Sequence, residues 1–118
     1  MRVKDAVGRY GEDVAERHLL AAGLRVLERN WRCAEGEIDI LAVEGETLVV
    51  CEVKTRSGLG YGDPAEAVGP DKSARLRRLA LRWMAGQEIG WRELRFDVVT
   101  VLRRPRGGPL VRHLRGAF

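Results

Sequence analysis

The run Gly36-Glu37-Ile38-Asp39-Ile40-Leu41-Ala42-Val43-Glu44-Gly45-Glu46-Thr47-Leu48-Val49-Val50-Cys51-Glu52-Val53-Lys54 decides how the chain is read. Two apolar segments rich in β-branched residues flank a glycine, the pattern of a β-hairpin. A two-residue type II′ turn at Gly45-Glu46 would set Glu44 opposite Thr47 and Val43 opposite Leu48, and a four-residue loop leads to the same register. Continued outward, that register puts Asp39 opposite Glu52. Facing residues on paired strands lie on one side of the sheet with Cβ atoms roughly 4.5–5.5 Å apart. The two-residue period brings Lys54, and by the same rule Glu37, to that side as well.

Charge therefore sits where a core is expected. Two half-buried carboxylates at that spacing repel unless one is protonated or a cation lies between them. Mg²⁺ is typically held by one or two carboxylates together with water and substrate phosphate, and a neighbouring lysine can orient or deprotonate an attacking water. Hydrolysis of a phosphodiester is the reaction such a set suits. The alternative is a structural ion pair, Lys54 neutralising Asp39 or Glu52. The shared face within otherwise apolar strands favours chemistry, because isolated charges there are costly.

Asp39 followed by Glu52-Val53-Lys54 on a hairpin resembles the PD-(D/E)xK nuclease motif, with Ile38 where the motif's name has proline. The wider pattern is similar to the YraN family of bacterial proteins, which are regarded as endonuclease-like. It matches at Gly8, at Gly11-Glu12 opening a helix, at Gly23, Asn30 and Arg32, and at Gly36-Glu37-Ile38-Asp39. It continues at Glu52-Val53-Lys54-Thr55-Arg56, Gly62, Lys72, Arg95-Phe96-Asp97-Val98-Val99 and Ala117-Phe118. This covers nearly the whole chain. The resemblance implies a restriction-endonuclease-like α/β core of order αβββαβ, a central mixed sheet flanked by helices, as in archaeal Holliday-junction resolvases. It also implies that Glu12 is the first-helix acid completing a metal shell. A solvated glutamate in a first helical turn is the other reading of Glu12, and Glu16 is a weaker candidate one turn on.

The 118 residues suit a single domain spanning 1–118. No apolar run approaches the roughly 18 residues of a membrane span, and Met1-Arg2-Val3-Lys4-Asp5 lacks a signal-peptide apolar region, so a cytoplasmic protein is expected. Cys33 and Cys51 have no zinc-ligand spacing. Alternation places Cys51 in the core with Val49 and Val53. The net charge of +4 is uneven, since residues 1–66 carry 9 basic and 13 acidic groups and residues 67–118 carry 12 and 4. Such a basic half has the composition of a phosphate-contacting surface, although surface arginines are often only solvated.

Helical spacing predicts a helix over 8–22, closed by Gly23, with His18 inside its apolar arc as a core histidine rather than a ligand. A first strand is expected over 24–29, then Asn30-Trp31-Arg32 in a loop, where Trp31 covers a core edge or stacks on a base beside Arg32. Ser57 to Pro64 is a glycine-rich loop without a Walker A or dinucleotide-binding pattern, and Tyr61 within it is a candidate stacking residue. A second helix should run from Pro70 to about Ala85 and stop at Gly86. Its stripe of Leu76, Leu79, Ala80 and Trp83 includes Lys72 at the N-terminal end, a lysine that either faces the acids of the hairpin or snorkels to water. Arg75, Arg78 and Arg82 form a neighbouring stripe that suits a phosphate backbone or plain solvent. A core strand over 94–102, with Asp97 structural, and a short edge strand over 110–114 complete the chain. No role is assigned to His113.

The expected protein is thus a metal-dependent nuclease acting on DNA, selective for branched or damaged structures. Asp39, Glu52, the Val53 carbonyl and Glu12 would hold Mg²⁺ or Mn²⁺, Lys54 would serve the water, and Arg32, Arg56, Lys72, Arg75 and Arg78 would contact nucleic acid. A domain this small has little room for base readout, so structure selectivity or a homodimer suits it better than sequence specificity. The runner-up is a non-catalytic nucleic-acid-binding adaptor of the same fold.

Overall fold

A computed structural model describes residues 6–57, 69–88 and 90–118. The Gly58–Pro64 part of the glycine-rich loop, with Tyr61, lies outside the described residues. The elements are α1 (Ala6–Ala21), β1 (Arg25–Cys33), β2 (Gly36–Glu44), β3 (Thr47–Ser57), α2 (Pro70–Ala85), β4 (Glu93–Arg103) and β5 (Leu110–Leu114). They form one five-stranded sheet in the order β1-β2-β3-β4-β5. All neighbouring pairs are antiparallel except β3 and β4, which are parallel. A parallel pair needs a crossover connection, and α2 lies within it.

The β2–β3 hairpin has the expected register, from Glu44↔Thr47 to Ile40↔Cys51. Gly45 has φ 60 whereas Glu46 does not enter the positive-φ region, the pattern of a type II′ turn. Alternation along the strands divides the interior in two. Ile40, Ala42, Val49, Cys51, Val99 and Val101 pack against Val14, Ala15 and Leu19 of α1. On the other face, Leu41, Val43, Leu48, Val50 and Phe96 pack against Leu76, Leu79, Ala80 and Trp83 of α2. Cys51 lies in the first cluster with Val53 against it, so Glu52 and Lys54, one residue either side of Val53, belong to the α2 face. Among the described residues no helix is long and apolar enough to cross a membrane.

One element differs from its sequence reading. Asn30-Trp31-Arg32 do not form a loop but continue β1, with Trp31↔Ile38 and Arg32↔Glu37 paired. Trp31 and Cys33 pack against the α2-side core, so tertiary burial overrides the polar look of the segment. Asn30 has φ 56, a conformation asparagine tolerates better than other non-glycine residues.

Gly11 lets α1 approach β3. A Cβ at this position would overlap the Thr55 hydroxyl and crowd its Cβ and Cγ2. Gly11→Ala should therefore lower stability by about 1–3 kcal/mol despite alanine's better helix propensity. Chemical denaturation would register the loss, and adding Thr55→Ala should restore most of it.

Candidate active site

The regular pairing of β2 breaks at Asp39 on both sides. Towards β1 the ladder passes from Arg29↔Ile40 to Trp31↔Ile38 across the left-handed Asn30. Towards β3 the paired residues run no further than Ile40↔Cys51. There the Asp39 carboxylate stands in for a backbone acceptor, and the Val53 N–H donates to its Oδ2 at 2.9 Å. Ile38 then packs on the α2 side, although Ile40, two residues on, packs on the α1 side. The strands part where the charged residues begin.

A polar cavity of about 570 Å³ occupies this region, within the range of small-ligand sites. Asp39, Glu52, Val53 and Lys54 line it from the hairpin, Lys72, Arg75 and Leu76 from α2, and Arg32 to Glu37 from the β1–β2 connection. Asp39 is 8% exposed and the Glu52 side chain 10%. The two carboxyl groups line the same cavity wall, close enough for the Asp39 charge to act on Glu52. Burial and then the Asp39 charge push the Glu52 pKa up to about 7, against the pull of Lys72. Lys72 Nζ lies 3.1 Å from Glu52 Oε2. Burial, followed by the neighbouring Lys72 ammonium, lowers the pKa of Lys54, while Glu52 and Asp39 act in the opposite sense. Two acids and two lysines thus meet in one half-dry pocket.

The remaining sequence candidates fall in different places. Arg32 lines the cavity with its Nε 2.7 Å from Glu37 Oε2. Its Nη1 is buried and has no hydrogen-bond acceptor among the described residues. Arg75 also lines the cavity. Arg78 and Arg82 do not; both lean on Glu35, at 3.9 and 2.9 Å. Arg56 is exposed near the end of β3, outside the cavity wall, and bonds the Thr55 carbonyl.

Glu12 does not line the cavity with the other expected ligands. It is buried on α1, the helix that packs on the sheet face opposite Glu52 and Lys54, and its carboxylate lies 3.4 Å from Arg29. The helical wheel placed Glu12 at the edge of an apolar arc but held no information on which sheet face α1 would cover. Glu16 likewise pairs with Arg29, at 2.9 Å.

A second polar cluster lies on the α1 face. The His113 ring is 2.8 Å from Asp97 Oδ2 through Nε2 and 3.0 Å from His18 Nε2 through Nδ1. Arg95 grips both Asp97 oxygens, at 2.9 and 3.0 Å. His18 is satisfied by a histidine 95 residues away, a pairing that no sequence period signals.

Fold and site together define an α/β protein with a five-stranded mixed sheet whose central hairpin opens into a cavity carrying paired acids and lysines. The model of the family described as Uncharacterised protein family UPF0102 matches residues 11–101, and the chain belongs to that family. It is 58% identical over 118 residues to a UPF0102 protein of Frankia casuarinae, covering 100% of both chains. It is 60% identical over 116 residues to one from Beutenbergia cavernae, covering 98% of each. Against a UPF0102 protein of Acidothermus cellulolyticus the identity is 48% over 125 residues, covering 98% of this chain and 95% of the relative.

Proposed function

We propose that the protein is a divalent-metal-dependent nuclease of the PD-(D/E)xK type, with a restriction-endonuclease-like core, that hydrolyses phosphodiester bonds in DNA. The observation that carries this reading is the placement of buried Asp39 and Glu52 in the wall of one polar cavity, with Lys54 two residues beyond Glu52. Two carboxylates held out of water at one cavity wall gain most from a hard cation, and oxygen donors suit Mg²⁺ or Mn²⁺. The donor set is lean. Among the described residues no group of three or more His, Cys, Asp and Glu converges on one point, so the Val53 carbonyl, water and substrate phosphate would supply the other oxygens, as is usual for Mg²⁺. When bound, the ion would polarise the phosphoryl oxygen and acidify water.

The protein's own groups divide the remaining work. Asp39 and Glu52 hold the ion, and Asp39 is fixed for this by the Val53 N–H. Lys54, whose proton is loosened by burial and by Lys72, orients the attacking water and accepts its proton. Arg75 and the Arg32 guanidinium, with its unsatisfied Nη1, receive phosphate oxygens. A cavity of this size favours a strand opened by a branch or lesion over base-by-base reading of a duplex, and a homodimer would cut two strands. Action on DNA implies a cytoplasmic site of work.

The direct test is Mg²⁺- or Mn²⁺-dependent cleavage of plasmid, single-stranded and four-way-junction DNA. Asp39→Ala and Lys54→Ala should each lower the rate about a hundredfold or more. Equal rates in parent and variants would mark a contaminant. The Glu52–Lys72 pair, complete without metal, favours a second reading as a non-cutting nucleic-acid adaptor. Salt-sensitive DNA binding that persists in Asp39→Ala, with no metal binding by calorimetry, would select it.

A further inference from the structure

Lys72 has a position unlike that of the other cations of the cavity. It stands in the first turn of α2, with Arg75 and Leu76 on the same helix face lining the cavity beyond it. Its ammonium reaches across to β3 and touches Glu52 at 3.1 Å. Lys54 lines the same cavity, near enough for the two charges to act on each other. Two ammonium groups in one pocket repel, so Lys72 is held there by the acids against the push of Lys54. The Lys72 side chain is 27% exposed, and its four-carbon stem can swing the charge outward without moving the helix.

We propose that Lys72 is a resident counter-ion that competes with the divalent cation for Glu52 and is drawn off it by a phosphate of the nucleic-acid strand, so that strand binding and metal binding favour each other. This rests on the nuclease reading of the site and adds to it the order in which the site is charged. With Lys72 on Glu52 the acidic pair is already partly neutralised, and an incoming cation must displace an ion pair whose carboxylate is largely buried. A phosphodiester at the mouth offers Lys72 another anion beside Arg75. Coupling of this kind is reciprocal, each partner tightening the other by the same factor.

Calorimetric titration of Mn²⁺ tests it, on the parent chain and on Lys72→Met, Lys72→Gln and Lys72→Arg, each with and without a single-stranded phosphorothioate oligonucleotide. Lys72→Met and Lys72→Gln should bind Mn²⁺ about tenfold more tightly than the parent in the absence of oligonucleotide, while Lys72→Arg should stay near the parent. The oligonucleotide should tighten Mn²⁺ binding by several-fold in the parent and by clearly less in Lys72→Met. Equal or weaker Mn²⁺ binding by both neutral variants, or identical tightening in parent and Lys72→Met, overturns the competition while leaving the metal site standing. No Mn²⁺ binding by any chain overturns the metal site itself. Lys72 is part-exposed in a first helical turn, and circular dichroism on both neutral variants separates a folding defect from a true change in affinity.

Discussion

With a chelator present, Glu52→Gln should melt about 8–12 °C above the parent chain at pH 8 and lose most of that advantage near pH 5, and the metal-dependent cleavage we propose should fall about a hundredfold or more. Glu52 is buried beside Asp39, and its pKa is pushed up to about 7 from 4.5. A carboxyl group with a raised folded-state value binds its proton more tightly in the fold than in the unfolded chain. Its contribution to stability is complete below about 4.5 and is lost as the pH rises through about 7. Each pKa unit corresponds to about 1.4 kcal/mol, so the penalty at pH 8 is on the order of 2–3 kcal/mol. Glutamine keeps the volume, removes the charge and offers Asp39 an N–H. Lys72 loses its partner but is 27% exposed and turns to water. Added Mn²⁺ should raise the melting temperature of the parent through binding and leave the variant unchanged. A variant that melts below the parent at pH 8 in chelator would show that the Lys72–Glu52 pair outweighs the Asp39–Glu52 repulsion, and that the acids form a structural ion pair.

The hairpin could be read from the sequence because its signals are local. Gly45 supplies the turn, alternation supplies the faces, and together they set the register from Glu44↔Thr47 to Ile40↔Cys51, one step short of Asp39 and Glu52. Pro70 and Gly86 bracket α2 for the same reason, and the stripe of Leu76, Leu79, Ala80 and Trp83 is buried at helical spacing. The parting of the strands at Asp39 was hidden, because it depends on one side chain taking the Val53 N–H in place of a backbone carbonyl. The extension of β1 was hidden too. Asn30-Trp31-Arg32 has turn-like polarity, and only pairing with Glu37 and Ile38 makes it a strand.

Charge partners were the least legible feature. Arg78 and Arg82, read as a phosphate stripe, are drawn to Glu35 in the turn before β2. Arg32 meets Glu37, and Glu12 meets Arg29. A wheel or an alternation pattern gives the direction of a side chain from its own element. It does not give the element that will stand opposite, which is set by the crossover through α2 and by the face that α1 selects.

The other large effect concerns the cluster on the α1 face. Asp97→Ala should cost about 3–5 kcal/mol of stability, the range for removing one partner of a buried charge network. Asp97 is fully buried and accepts from Arg95 at 2.9 and 3.0 Å, His113 at 2.8 Å and the Gly116 N–H at 3.0 Å. Burial alone would raise its pKa, but the hydrogen bonds from His113, Arg95 and Gly116 bring it down to about 2. Its stabilising contribution is therefore complete above about 3.8 and is lost as the pH falls through about 2. His18 loses stability earlier in the acid range. Burial, His113 and Arg115 all lower its pKa from 6.5, so it favours the fold above 6.5 and opposes it progressively below. Because Glu52 gains stability over the same range, the test uses Glu52→Gln as the background, in which denaturation followed from pH 8 to pH 2 should show a shallow loss beginning near 6.5 and a steep one below 4. His18→Asn should remove the first and Asp97→Asn most of the second. The cluster lies across the sheet from Lys72, so Mn²⁺ affinity measured on folded Asp97→Asn should stay within about twofold of the parent, since sites without shared partners are nearly additive. A tenfold loss would show that Asp97, whose neighbour in the β3–β4 register is Cys51, transmits strain through that strand to Glu52.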